Sequence, residues 1–106
     1  MPAEITTFQA AVYRALRGVP KGRVTTYGLL ARAIGCGSSR AVGQSLKRNP
    51  FAPRVPCHRV IASDLSLGGF QGKRRGPAVA RKLSLLKSEG VLFRAGRLAE
   101  SGRIWK

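Results

Sequence analysis

Three prolines between Asn49 and Val60 limit the folds open to this chain more than any other feature. The stretch reads Asn49-Pro50-Phe51-Ala52-Pro53-Arg54-Val55-Pro56-Cys57-His58-Arg59-Val60. Each proline fixes φ and removes a backbone donor, so neither a helix interior nor a central strand can run through it. The result is an ordered, non-helical connection in mid-chain, and it carries a chemically loaded pair. Cys57 is one of 2 cysteines and His58 is the only histidine. A thiol needs a base to become a nucleophile, and Pro56 sets the pair at a turn of defined geometry. Adjacency alone does not put an imidazole on a thiol, because the partners in such pairs usually meet through the fold. The surroundings decide.

Upstream, Phe8, Ala11, Val12, Ala15 and Leu16 repeat at helical spacing and predict a helix over Thr7 to Arg17, with Thr6 and Gln9 as a capping box. Gly18-Val19-Pro20-Lys21-Gly22 breaks it, and Arg23-Val24-Thr25 is a short β-type stretch. Thr26 can cap a second helix carrying Tyr27, Leu30, Ala31 and Ile34 on one face and ending at Gly35. Cys36-Gly37-Ser38 makes a turn, and Ser38 or Ser39 caps a third helix from about Arg40 to Arg48, stopped by Pro50. Two short helices joined by a glycine-containing turn read as a helix-turn-helix or as an ordinary helical hairpin. In the second of them Ser39, Ala41, Gly43 and Ser45 are small, while Arg40, Gln44, Lys47 and Arg48 are polar or basic. Small residues let a helix lie close to a duplex and long ones reach past them.

Downstream, Ile61 ends a short strand, and Asp64 to Gly76 is a glycine-rich basic loop containing Lys73-Arg74-Arg75. Pro77 fits the first position of a last helix with Val79, Leu83 and Leu86 facing inward, and Gly90 ends it. Val91-Leu92-Phe93 is a short apolar run, and Trp105 is expected to pack on the body of the domain. The expected architecture is mainly α: one small domain over 1–106, winged-helix-like, with short β segments.

Composition narrows the partners. Of the 106 residues, 20 are Lys or Arg and 4 are Asp or Glu, a formal net charge of +16. Such an excess predicts a polyanionic partner held through phosphate neutralisation and counterion release. A hydrophobic content of 43% argues against a disordered basic tail. No apolar run approaches the roughly 20 residues of a membrane span, and no signal segment is visible, so a reducing, cytoplasmic setting with free thiols is expected.

Cys57-His58 then has three readings. As a metal half-site it would have Cys36, Cys57 and His58, well short of a structural zinc set. As a buried structural thiol, Cys57 would need no histidine. As a nucleophile it would sit beside a base in an electropositive domain that favours the thiolate. A reactive thiol next to a DNA-binding surface implies chemistry on a base taken out of the stack.

Five motifs in order carry a resemblance: Gly22-Arg23-Val24-Thr25-Thr26-Tyr27, Ser39-Arg40-Ala41-Val42-Gly43, Arg48-Asn49-Pro50, Pro56-Cys57-His58-Arg59-Val60, and Leu85-Leu86 followed by Glu89-Gly90. From roughly Phe8 to Gly90 the chain resembles the DNA-binding and active-site domain of the O6-alkylguanine-DNA alkyltransferases, the methylated-DNA–protein-cysteine methyltransferases. The resemblance implies that Cys57 accepts the alkyl group from guanine O6, that His58 takes the thiol proton through a water, and that Glu89 orients the imidazole. It implies that Asn49 holds the turn presenting Cys57, that Tyr27 presses on the target phosphate, and that Arg40 fills the vacated stack. The helix bearing Ser39, Arg40, Ala41, Gly43, Gln44 and Lys47 would enter the minor groove of double-stranded DNA. Tyr27, Pro56, Val60, Phe70 and Gln71 would line the pocket, with carbonyls near Cys57 and Val60 reading the guanine edge. The family acts once per molecule, needs no cofactor or metal, and implies a monomer.

The chain departs from that family in places. No N-terminal domain is expected before the matching region, Phe70 stands where a tyrosine is common, and the stretch from Phe70 to Pro77 is longer than usual. The end of the chain, from Glu89 to Trp105, resembles the alkyltransferase-like proteins, which bind alkylated guanine and hand it to nucleotide excision repair. Those relatives usually carry tryptophan or alanine where this chain has Cys57. A lesion sensor that recruits excision-repair proteins is therefore the alternative to a transferase.

Overall fold

The computed structural model describes residues 6–47, 55–69 and 76–105. The expectations for Arg48, Asn49, Pro50, Phe70, Gln71 and Lys73-Arg74-Arg75 lie outside the described residues. Thr6 opens the first helix as its sequence pattern requires. Its hydroxyl accepts from the Gln9 N–H at 3.0 Å, and the Gln9 side chain accepts from the Thr6 N–H at 2.9 Å. Helix α1, Thr7–Arg17, buries Val12, Tyr13 and Leu16. A two-residue strand, β1 (Thr25–Thr26), leads directly into α2 (Tyr27–Ala33), whose first turn is capped by Thr26 Oγ1 accepting from the Leu29 N–H at 3.1 Å. Ser38, rather than Ser39, starts α3 (Ser39–Lys47), its hydroxyl accepting from the Ala41 N–H at 3.1 Å.

Helices α1, α2 and α3 share one core with Val19, Val55 and Val60. Ser45 belongs to it as well, which corrects the expectation that it lies on the outer face of α3. Its carbonyl accepts the buried Tyr13 hydroxyl at 2.7 Å, and its own hydroxyl donates to Ala41 O at 3.2 Å. A small residue was needed there for packing, not for approach to a partner.

Strand β2 (Val60–Ile61) pairs parallel with β1, Thr25 opposite Val60 and Thr26 opposite Ile61. Successive side chains of a strand point to opposite faces. Val60 accordingly joins the helical core, while Ile61 joins a second core with Val24, Leu86, Val91 and Leu98. The short ribbon is thus the seam between two clusters, and the Cys57-His58 turn sits immediately before it.

The second core is closed by α4 (Pro77–Ser88) and an antiparallel hairpin, β3 (Phe93–Arg94) with β4 (Arg97–Leu98). Beyond a 3-10 turn at Ser101–Arg103, the tail runs back along β1: the Val24 N–H donates to Arg103 O at 2.8 Å and the Trp105 N–H to Val24 O at 2.7 Å. Two expectations fail here. Leu83 is 41% exposed, and the inward stripe of α4 is Val79, Lys82 and Leu86, in which Lys82 has no exposed surface. Trp105 is held by its backbone, but its side chain does not pack inward: the residue is 44% exposed. No helix among the described residues is long and apolar enough to cross a membrane.

Candidate active site

Residues Cys57–Arg59 form a single 3-10 turn. Pro56 presets it: its carbonyl accepts the Arg59 N–H at 2.9 Å, and Cys57 N–H closes onto Val55 O at 2.8 Å. Val60 N–H then bonds to Cys57 O, and β2 begins. Three successive backbone bonds therefore hold the reactive pair in a closed turn that runs straight into the central seam. Cys57 is half-buried against the helical core, while His58 is buried.

Glu89, the C-cap of α4, meets that turn. Gly90, at φ +86°, ends the helix in the left-handed conformation open to glycine and turns the chain back so that Val91 can enter the core. The Glu89 Oε2 lies 3.1 Å from His58 Nε2, with both side chains less than a tenth exposed. A carboxylate at a helix C-terminus opposes the helix dipole; here a guanidinium offsets it. Arg59 binds Glu89 through two parallel bonds, Nε to Oε1 at 3.0 Å and Nη2 to Oε2 at 2.8 Å, and its Nη1 donates to Val19 O at 3.0 Å. Burial pushes the Glu89 carboxyl up, but its bonds from Arg59 and His58 and their charges outweigh burial and leave it below its ordinary range. His58 is lowered, by burial first; Glu89 pulls the other way, and the positive charges of Arg59 and Lys82 add to the lowering.

Lys82 is the part of the site that counting apolar residues misses. Its Nζ donates to Val60 O at 2.7 Å and to Gly69 O at 2.9 Å. Burial drops its pKa to about 8, with the negative charge of Cys57 acting in the opposite direction. One lone pair of the Val60 carbonyl is thereby taken, and the Val60 side chain has no exposed surface, which leaves Val60 only its backbone to offer at this site. Pro56 is buried beneath the turn. Gly68, at φ +73°, brings the glycine-rich loop onto the same point: a Cβ there would stand 3.6 Å from Tyr27 Cε2 and 3.7 Å from Lys82 Nζ. Tyr27, the first residue of α2, is raised by burial and by the charge of Cys57. Cys57, His58, Glu89, Tyr27, Lys82 and Gly68 thus converge, whereas Asn49, Phe70 and Gln71 lie outside the described residues. Val79, Lys82 and Leu86 fall at i, i+3 and i+7, a spacing visible in the sequence once a lysine is allowed on an inner face.

The outer face of α3 presents Arg40, Gln44 and Lys47, all exposed, with Ser39 exposed and Ala41 and Gly43 half-buried. A Cβ added at Gly43 would meet nothing within 4 Å. Glycine in a helix interior costs roughly 1 kcal/mol relative to alanine, and packing within this chain gives no reason for it. Cys36 stays in the turn before α3, its sulfur accepting from the Ser38 N–H at 3.3 Å. Among the described residues no group of three or more His, Cys, Asp or Glu could hold a metal ion.

With this geometry in place, comparison with known proteins is decisive. The family described as "6-O-methylguanine DNA methyltransferase, DNA binding domain" matches residues 7–91. The chain is a member of the O6-methylguanine DNA methyltransferase family. The methylated-DNA–protein-cysteine methyltransferase of Salmonella typhimurium is 46% identical over 89 residues, covering 83% of this chain and 49% of the relative. The DNA base-flipping protein of Thermus thermophilus is 44% identical over 95 residues, covering 87% of this chain and 60% of its own length. The chain thus spans about half the length of the curated methyltransferases it matches. Atl1 of S. pombe, solved in complex with damaged DNA containing O6-carboxymethylguanine, superposes with a TM-score of 0.79 at 30% identity and covers 98% of this chain and 99% of its own. As a methyltransferase-family domain, the chain has the mainly helical fold expected of it, with short strands and a helix-turn-helix in α2 and α3.

Proposed function

We propose that this domain repairs O6-alkylguanine in double-stranded DNA by moving the alkyl group irreversibly onto Cys57. One observation carries the reading: a half-buried thiol adjoins a buried histidine whose Nε2 is 3.1 Å from a carboxylate, the nucleophile–base–orienter order of a triad. His58 takes the thiol proton through a water. The sulfur attacks the alkyl carbon, the S–C bond forms as the C–O6 bond breaks, and the electron pair stays on the guanine, which is then protonated from solvent. A thioether offers no easy reverse step, so each molecule reacts once.

Delivery of the base falls to α2 and α3. The exposed Arg40, Gln44 and Lys47 would face the minor groove, and the bare Gly43 would let the helix backbone approach the duplex. Arg40 would occupy the gap left by the flipped nucleotide, and Tyr27, the first residue of α2, would press on its phosphate. Asn49 and the Phe70-Gln71 segment would complete the turn and the pocket.

A second reading has its own support. Likeness to Atl1 extends over nearly the whole chain, including the tail beyond residue 91 where the methyltransferase family match ends. On that reading the domain binds the lesion, transfers nothing and recruits excision-repair proteins. Cys57 favours transfer. The experiment is incubation with an oligonucleotide containing O6-methylguanine, followed by intact mass and peptide mapping. One methyl on Cys57, absent from Cys57→Ser and Cys57→Ala, is expected. Tight lesion binding with Cys57 unmodified would establish the sensor instead.

A further inference from the structure

We infer that Arg59 is a positioning residue that, through Glu89, fixes the His58 ring with its proton on Nε2 and holds it uncharged near neutral pH. The geometry is specific. Three separate N–H groups of one guanidinium are used: two on the two oxygens of Glu89, and one on Val19 O in the turn after α1. Glu89 Oε2 receives both Arg59 Nη2 at 2.8 Å and His58 Nε2 at 3.1 Å. An ionised carboxylate only accepts hydrogen bonds, so the His58 contact requires a proton on Nε2. The lone pair of a neutral ring is then on Nδ1, the nitrogen left to take a proton from the Cys57 side.

Charge decides whether that lone pair exists. The charged and titratable groups around the ring are Glu89 and Lys82 from α4, Arg59 and Cys57 from its own turn, and Tyr27 of α2 beyond Cys57. Glu89 favours the imidazolium through its hydrogen bond and its charge, and Arg59 binds that carboxylate at closer range than His58 does. Arg59 thus keeps Glu89 ionised as an acceptor while depriving it of its pull on a second proton. A lysine at this position could supply the charge but not the planar fork. The consequence for reaction rate rests on the transfer reading, whereas the state of the ring does not.

The chain has a single histidine, so its imidazole signals are unambiguous in NMR. The test follows the ring 1H and 15N shifts across pH in the unmodified protein, Arg59→Gln, Arg59→Lys and Glu89→Gln, with thermal melts to confirm folding. The unmodified protein should titrate below the ordinary histidine range with the proton on Nε2. Arg59→Gln should raise the midpoint by roughly one pH unit, Arg59→Lys should restore most of it, and Glu89→Gln should lower it. A folded Arg59→Gln with an unmoved midpoint, or a folded Arg59→Lys shifted as far as Arg59→Gln, overturns the assignment. Should Arg59→Gln fail to fold, an unmoved midpoint in Glu89→Gln overturns it equally. In methyl transfer, the acid limb of the pH–rate profile should move with the NMR midpoint; a lower rate at an unmoved limb would mark Arg59 as merely structural. The expected NMR shifts without any transfer would sink the transferase reading and leave this one standing.

Discussion

A lysine with no exposed surface has to be explained residue by residue. Lys82 occupies an inner position of α4 and its ammonium is bonded to the carbonyls of Val60 and Gly69, so it ties the loop after β2 to the helix that carries Glu89. Holding the charge there is unfavourable: a fall from 10.5 to about 8 corresponds to about 3 kcal/mol against the protonated form. The sign of the pH effect follows. Below pH 8 both folded and unfolded states are protonated and the penalty is present in full. As pH rises from 8 toward 10.5 the folded state loses its proton first, the unfolded state binds more protons, and stability rises. Tyr27 works the other way above pH 10, because its raised pKa makes the folded state keep a proton that the unfolded state has lost. Urea denaturation should therefore show a gain of about 2 kcal/mol from Lys82 between pH 7 and 10, read as the difference between the unmodified protein and Lys82→Met. An equal difference at both pH values would refute the assignment.

At the scale of elements, the tail is what makes β1 an interior strand. Val24, immediately before it, is bonded to Arg103 and Trp105 on one edge, while Thr25 and Thr26 pair with β2 on the other. Arg23 also donates to Gly102 O, and Arg103 to Gly22 O at 3.3 Å. Deleting residues 101–106 should free the Val24 amide to exchange with solvent and destabilise the domain by about 1–3 kcal/mol, while amides in α1 and α3 keep their order of protection. Unchanged exchange at Val24 would show that the tail merely rests on the edge. This contact was not legible in the sequence, because Ile104-Trp105 gives no signal of which strand it joins. Local signals were legible wherever chemistry is local: the Thr6 capping box, the Thr26 cap, Pro77 at the start of α4 and Gly90 at its end. The sequence also exposed Cys57, His58 and Glu89 as motif members. What it hid were polar residues on inner faces. Lys82 is buried because carbonyls distant in sequence, Val60 and Gly69, satisfy it, and Ser45 because its hydroxyl bonds back to Ala41 O beneath Tyr13. A count of apolar residues assigns Leu83 to the core in place of Lys82. Arg59 was visible only as a letter in a motif, since its role needs Val19 and Glu89 at once.

For the whole molecule the dominant quantity is a net charge of +16, which governs association and not fold. Binding to any duplex should fall linearly in log affinity against log salt, by about 0.9 for each phosphate neutralised. The exposed cations on the helices separate into two kinds under such a measurement. Lys47, exposed at the end of α3, is proposed to meet a phosphate, so Lys47→Ala should reduce the slope by about one and weaken lesion-bearing and undamaged duplexes alike. Arg40, in the first turn of α3 and exposed, is proposed to enter the stack when a base leaves it, a contact that an undamaged duplex seldom offers. Arg40→Ala should therefore reduce the preference for an O6-methylguanine duplex over its undamaged counterpart, while reaction of Cys57 with the free base O6-benzylguanine, which needs no flipping, survives. Fluorescence anisotropy at several salt concentrations and the free-base reaction rate give both quantities. Should Arg40→Ala weaken the two duplexes in equal proportion, with the slope reduced as in Lys47→Ala, Arg40 is one phosphate contact among many and the gap must be filled by another residue.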